Sequence, residues 1–126
     1  MIEIAAAKKL YTQLVHGDID SALRRLQGNF DLMLALDVFI YIGDLEGMFA
    51  ATGPRFAPGG MFVYSIETAV IDSFELRTTG HYVHNADYVI VTAENYGLKH
   101  VGGKTVILRE EAGKRVPAYI GILQKA

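Results

Sequence analysis

A chain of 126 residues supports one domain with one modest core, so residues 1–126 are read as a single unit. Its residues are 51% apolar and 21% charged, with a net charge of −2, which argues against disorder and gives no basic footprint for nucleic acid. It has no cysteine, which excludes disulfides, thiolate metal sites and cysteine nucleophiles and fits a cytoplasmic protein.

Ile2–Leu10 has central alanines, an early Glu3 and late Lys8 and Lys9, an order that suits a helix dipole. Nothing ahead of it can cap it, so it reads as a helix entered part-way. The same charge order is the reverse of a signal peptide. No apolar run reaches the roughly 20 residues that span a membrane, so no membrane partner is expected. Thr12–His16 leans towards β and closes at Gly17-Asp18. Asp18 or Asp20 then caps a helix over Ile19–Leu26, which Gly28-Asn29 breaks.

Phe30–Val38 is continuously apolar at its centre, the pattern of a strand buried on both faces of a parallel sheet. Gly43-Asp44 caps a helix over Leu45–Arg55, with Pro54 disturbing its last turn. Pro58-Gly59-Gly60 is a turn signal, and Met61–Ile66 is a second buried strand. This strand–helix alternation predicts an α/β fold, a parallel sheet flanked by helices. Ala69–Asn85 reads as a polar loop with one short strand near Phe74–Arg77. Asn85 caps a helix over Ala86–Tyr96, ended by Gly97. Leu98–Glu110 and Val116–Gln124 form an antiparallel hairpin turning at Gly113-Lys114.

Phe30-Asp31-Leu32-Met33-Leu34-Ala35-Leu36-Asp37-Val38-Phe39-Ile40-Tyr41-Ile42-Gly43-Asp44-Leu45 resembles the fourth strand and following loop of class I S-adenosylmethionine-dependent methyltransferases. Arg55-Phe56-Ala57-Pro58-Gly59-Gly60-Met61-Phe62 resembles the turn into that family's fifth strand. The helix and closing hairpin resemble its last two strands. With Gly80-His81-Tyr82-Val83-His84, the wording is similar to predicted methyltransferases joined to tetratricopeptide repeats. The resemblance covers essentially the whole chain and rests on the order and spacing of its parts. It implies a partial Rossmann-like sheet from a family order of 3-2-1-4-5-7-6, without the first two strands. The glycine-rich cofactor loop and the ribose-binding acid would then be missing. S-adenosylmethionine is the implied cofactor, with weak or absent binding by this chain alone.

Ligands of open α/β sheets bind outside the carboxyl ends of the strands. Gly17 and Asp18 follow the expected third strand, where the resemblance implies contact with the cofactor's adenine; a helix cap is the other reading of Asp18. Asp37 closes an apolar run, and an acid there is costly to bury without a partner. By resemblance it lies beside the methyl group or the substrate; otherwise it is an ordinary loop carboxylate. Tyr41 lines the same pocket or simply packs. Tyr82 and His84 lie where this family builds substrate contacts, and His84 is the candidate general base. His16 and His100 have no nearby partner, so no metal site is expected.

Methyl transfer needs little catalytic machinery, because the sulfonium donor is already activated. The expected acceptor is a small molecule. The missing strands would expose an edge of the fourth strand, which predicts that the third strand re-pairs or that two chains associate as a homodimer. The competing functional reading is a non-catalytic methyltransferase-like module that completes its sheet with a partner chain. A dehydrogenase fragment fits less well, because of the antiparallel hairpin at the end.

Overall fold

A computed structural model describes Val15 and residues 17–26, 28–111 and 113–126. Within them the chain forms helix α1 (Ile19–Arg25), strand β1 (Phe30–Ala35), a 3-10 turn at Phe39–Tyr41 and helix α2 (Glu46–Thr52). A second 3-10 turn at Gly53–Arg55 leads into strand β2 (Phe56–Glu67). Short strands β3 (Phe74–Leu76) and β4 (Tyr82–His84), helix α3 (Ala86–Glu94) and long strands β5 (Leu98–Glu111) and β6 (Lys114–Lys125) complete the fold. The helix expected over Ile2–Leu10 and the strand expected over Thr12–His16 lie outside the described residues, Val15 apart.

The main sheet has the order β1-β2-β6-β5. β1 and β2 are parallel, and β6 runs antiparallel to both β2 and β5. This is the expected 4-5-7-6 portion of the family order. β3 and β4 form a separate antiparallel pair. It is tied to the main sheet by a bridge between Thr68 and His84.

Local chemistry explains the element ends. Asp44 Oδ1 accepts from the Glu46 N–H at 3.0 Å, satisfying the first N–H of α2 from one residue ahead of the N-cap Leu45. Pro54 cannot continue an α-helix, and the chain tightens into the 3-10 turn that contains it. Asn85 Oδ1 accepts from the Tyr88 N–H at 3.0 Å, while its Nδ2 donates to the Ile71 carbonyl at 2.8 Å. One side chain thus caps α3 and anchors the loop before β3. The Arg55 guanidinium donates to the carbonyls of Leu23, Leu26 and Gly28 and lies 5.7 Å from the Phe30 ring centroid. It supplies positive charge where the orphan carbonyls at the end of α1 need it.

The core lies on one face of the sheet. Phe62, Tyr64 and Ile66 of β2 and Leu123 of β6 pack beneath Met48 and Phe49 of α2 and Val89 and Ala93 of α3. Phe39 sits among them, stacked 5.5 Å from Tyr64 and edge-on 5.9 Å from Phe49. Gly121 makes room for Tyr64: a Cβ there would stand 2.3 Å from the ring.

Two expectations are corrected. β1 is not buried on both faces. Met33 and Ala35 point to the core side, but Leu32, Leu34 and Leu36 are 55%, 63% and 51% exposed. The helices described here all cover the other face, so an apolar run lacking alternation is left half bare. The polar segment before α3 is also more ordered than a loop. Tyr82–His84 pair with Phe74–Leu76, and the Phe74 ring packs 6.1 Å from Tyr82 and 6.4 Å from His84. The strands are too short to show period-2 patterning in the sequence.

Candidate active site

The parallel strands β1 and β2 end side by side, and the chain turns away from each carboxyl end. Asp37, two residues past β1, adopts φ +56°, the sole positive φ at a non-glycine among the described residues. Aspartate tolerates this left-handed geometry better than most residues. The turn is held across strands: the Asp37 N–H donates to Ser65 Oγ at 2.9 Å. Ser65 is buried on β2, two residues before Glu67.

Glu67 is the last residue of β2 and only 5% exposed. A buried carboxylate requires a partner. Its Oε1 lies 3.2 Å from Nδ1 of His81, whose side chain is 17% exposed. A tight turn brings His81 there: the Arg77 N–H donates to the His81 carbonyl at 2.9 Å, with Gly80 at φ +86°. The exposed Tyr41 ring meets His81 edge-on at 5.7 Å. Three contacts thus link residues near the carboxyl ends of β1 and β2: Asp37 with Ser65, Glu67 with His81, and His81 with Tyr41. Beyond Glu67 opens a cleft of about 470 Å³, walled by Thr68, Arg77, Thr79, Lys114 and Pro117.

The sequence reading singled out Asp37 and Tyr41 of this group and passed over Ser65, Glu67 and His81. Glu67 carried the same signal as Asp37, an acid closing an apolar run. The pairing with His81 is a tertiary fact.

His84 is fully buried. Its Nε2–H donates to the carbonyls of Ile42 at 2.8 Å and Gly43 at 3.1 Å, and its Nδ1 has no hydrogen-bond partner among the described residues. Burial pushes its pKa below the usual histidine value, and the two carbonyl bonds partly oppose this. Tyr82 closes over the same loop, where a Cβ on Gly43 would stand 2.6 Å from its ring. Both side chains hold the segment that follows Tyr41. His100 lies in β5 and stacks on Tyr119 at 6.4 Å. His16 lies outside the described residues. Among the described residues no group of three or more His, Asp and Glu is placed to hold a metal ion.

Gly17 and Asp18 border a separate hollow of about 420 Å³, shared with Ile19, Ile42, Gly47 and Met48. Asp18 takes the N-cap position of α1, but its side chain makes no cap hydrogen bond.

The architecture matches solved structures over most or all of the chain. A methyltransferase from Methanosarcina mazei aligns with a TM-score of 0.63 at 11% identity, covering 82% of this chain and 64% of that one. The N-methyltransferase NodS from Bradyrhizobium japonicum, in complex with S-adenosyl-L-homocysteine, gives 0.58 at 20% identity over 82% of this chain and 50% of that one. The glycopeptide N-methyltransferase MtfA gives 0.68 at 14% identity, covering 100% and 70%. The fold is that of the class I methyltransferases. No protein-family profile and no curated protein sequence matches the chain. It spans 64% of the first of these methyltransferases and half of the second. In methyltransferase terms β1, β2, β5 and β6 are the last four strands, and the Asp37–Ser65 hydrogen bond lies at the carboxyl ends of the parallel pair. Among the described residues no helix is long and apolar enough to cross a membrane.

Proposed function

We propose that this chain is the C-terminal, acceptor-side part of an S-adenosylmethionine-dependent methyltransferase acting on a small molecule in the cytoplasm. The observation that carries this reading is the Asp37–Ser65 hydrogen bond at the carboxyl ends of β1 and β2, with the buried Glu67 two residues on, in a methyltransferase fold. The hollow beside α1 fits one end of the cofactor. Ile19, Ile42 and Met48 offer apolar walls for an adenine, and the Asp18 carboxylate suits its amino group. Asp37 faces the methyl group or acceptor, and Tyr41 walls the acceptor side. When bound, S-adenosylmethionine supplies an activated methyl group; the protein's task is alignment and exclusion of water.

The test is transfer of labelled methyl from S-adenosylmethionine to a deproteinised small-molecule extract by the whole polypeptide that carries this chain. Asp37→Ala is expected to lower the rate at least tenfold, and absence of any transfer by the unaltered protein refutes the reading. For residues 1–126 alone, calorimetry is expected to show weak or no binding of S-adenosylmethionine, because the described residues supply only the adenine end. Micromolar affinity would contradict that.

The partner we propose is a second copy of this chain. β1 has no neighbour on its outer edge among the described residues, and its exposed leucines lie beside that edge. Two-fold pairing of such edges satisfies both backbones and covers both sets of leucines at once. Light scattering is expected to show a dimer that Leu34→Lys converts to monomer; a monomer at high concentration before substitution defeats the idea. Exposed leucines and an open edge also favour a second reading, a non-catalytic module completed by a different partner chain.

A further inference from the structure

On the methyl-transfer reading, and resting on it, we propose that the cleft beyond Glu67 holds the charged end of an anionic acceptor, a small molecule bearing a carboxylate or phosphate group. The methyl group goes to another atom of the same molecule.

Two separate turns wall the cleft. One is the turn between β3 and β4, where the Gly80 N–H donates to the Arg77 carbonyl and the Arg77 N–H to the His81 carbonyl, both at 2.9 Å. It contributes Arg77 and Thr79. The other joins β5 to β6 with Gly113 at φ +75°, and just past it stand the exposed Lys114 and Arg115. The chain just after β2 ties the two walls together: the Thr68 N–H donates to the Pro117 carbonyl at 3.4 Å. The enclosed volume of about 470 Å³ suits a small molecule.

Charge sets the class of ligand. The chain as a whole carries −2. Arg77, Lys114 and Arg115 nevertheless bring three positive charges to this cleft, against the one carboxylate of Glu67 among the described lining residues. Oε1 of that carboxylate lies 3.2 Å from His81 Nδ1. Cations drawn together from two turns repel one another, and a bound anion relieves the repulsion. The ion pairs that two of them make are exposed. Arg77 Nη2 meets Glu75 Oε2 at 3.3 Å, and Arg115 Nε reaches Glu110 Oε1 only at 4.0 Å. Such surface pairs contribute little in water, so an incoming carboxylate or phosphate displaces them at small cost. The planar guanidinium matches either group with two parallel N–H···O bonds, and the Thr68 and Thr79 hydroxyls are further donors.

The position suits an acceptor. Glu67 lies two residues beyond Ser65, whose hydroxyl accepts from the Asp37 N–H. An anion held by Arg77 and Lys114 therefore anchors a molecule beside the carboxyl ends of β1 and β2, where ligands of open α/β sheets bind.

The experiment titrates the whole polypeptide with phenyl phosphate, benzoate and the neutral benzyl alcohol, followed by NMR of the Arg77 Nε–H and the Lys114 and Arg115 amides. An anion is expected to move these signals and to bind at least about tenfold tighter than the alcohol, the scale of a hydrogen bond to a charged group. Tighter binding of phenyl phosphate supports a phosphate-bearing acceptor, and tighter binding of benzoate a carboxylate. Arg77→Gln combined with Lys114→Gln is expected to weaken the anion by about tenfold or more, whereas Lys104→Gln, on β5 and outside the cleft, leaves it within about twofold. An alcohol that binds as tightly as the anions, or an anion that binds the paired variant unchanged, overturns the proposal whatever the activity. In the methyl-transfer assay, labelled product is expected in the fraction of the extract retained by an anion exchanger. The paired variant is expected to raise KM about tenfold with kcat within about twofold, because a binding contact made equally in ground and transition states is lost. Label confined to neutral and cationic products overturns the proposal while leaving the methyl-transfer reading intact. Absence of transfer by the unaltered protein removes the methyl-transfer reading and this acceptor with it.

Discussion

The two faces of the main sheet are built from alternate residues of the same strands, and they differ in kind. One face is aromatic and closed: Phe62 and Tyr64 on β2 lie under Phe39 and Phe49, with Gly121 trimmed so the Tyr64 ring can lie flat. The other is aliphatic and open, with Leu32 and Leu34 on β1 beside Met61 on β2. A residue on the first face has a shape to match; Leu32 and Leu34 on the second stay more than half exposed. The contrast shows that apolar character alone did not decide burial here. The covering helices did.

The sharpest test compares one substitution on each face. Phe39→Ala is expected to cost about 3 to 5 kcal/mol in urea unfolding, the range for an aromatic removed from a packed core. Leu34→Ser, scored in the monomer, is expected to stay within about 0.5 kcal/mol, as a surface change does. Equal costs would mean that the two faces are equally buried in solution and would break the comparison. Gly121→Ala is the next largest effect. Its new methyl would meet the Tyr64 ring, and overpacking of this kind costs about 1 to 3 kcal/mol, read as a lower urea midpoint.

The smallest effect concerns the hairpin that fastens the site to the closed face. Burial lowers the His84 pKa, so the unfolded chain takes up a proton at higher pH than the folded chain does. The neutral side chain's contribution is complete above the ordinary histidine value of about 6.5. It diminishes as pH falls from there towards the folded value. Urea midpoints are therefore expected to drop between pH 7.5 and 5.5, and to drop less in His84→Gln. The Tyr64 hydroxyl, raised by burial and by the nearby Tyr119, stays neutral throughout this window.

Much of the fold was legible because the signals are local. Asp44, Pro54, Asn85 and Gly113 mark element ends through their own backbone chemistry, and each end lies where that chemistry puts it. The parallel pair and closing hairpin followed from apolar runs separated by helices. The site was only half legible. Asp37 and Tyr41 announce themselves by position, but His81 and Glu67 are 14 residues apart in the chain and meet through a turn at Gly80. His84 looked like the more reactive histidine of the same motif because sequence carries no measure of burial.

By itself the sequence determined the order of the main helices and strands, several of their ends, and that an acid follows each of the two parallel runs. Periodicity, caps and turn residues act within a few positions, so they are readable in one dimension. Tertiary structure alone decided which face of β1 is covered, which histidine is sealed and which one meets Glu67. Those outcomes depend on what packs against a residue from elsewhere in the chain. The sequence names the groups, and only the packing decides which become partners.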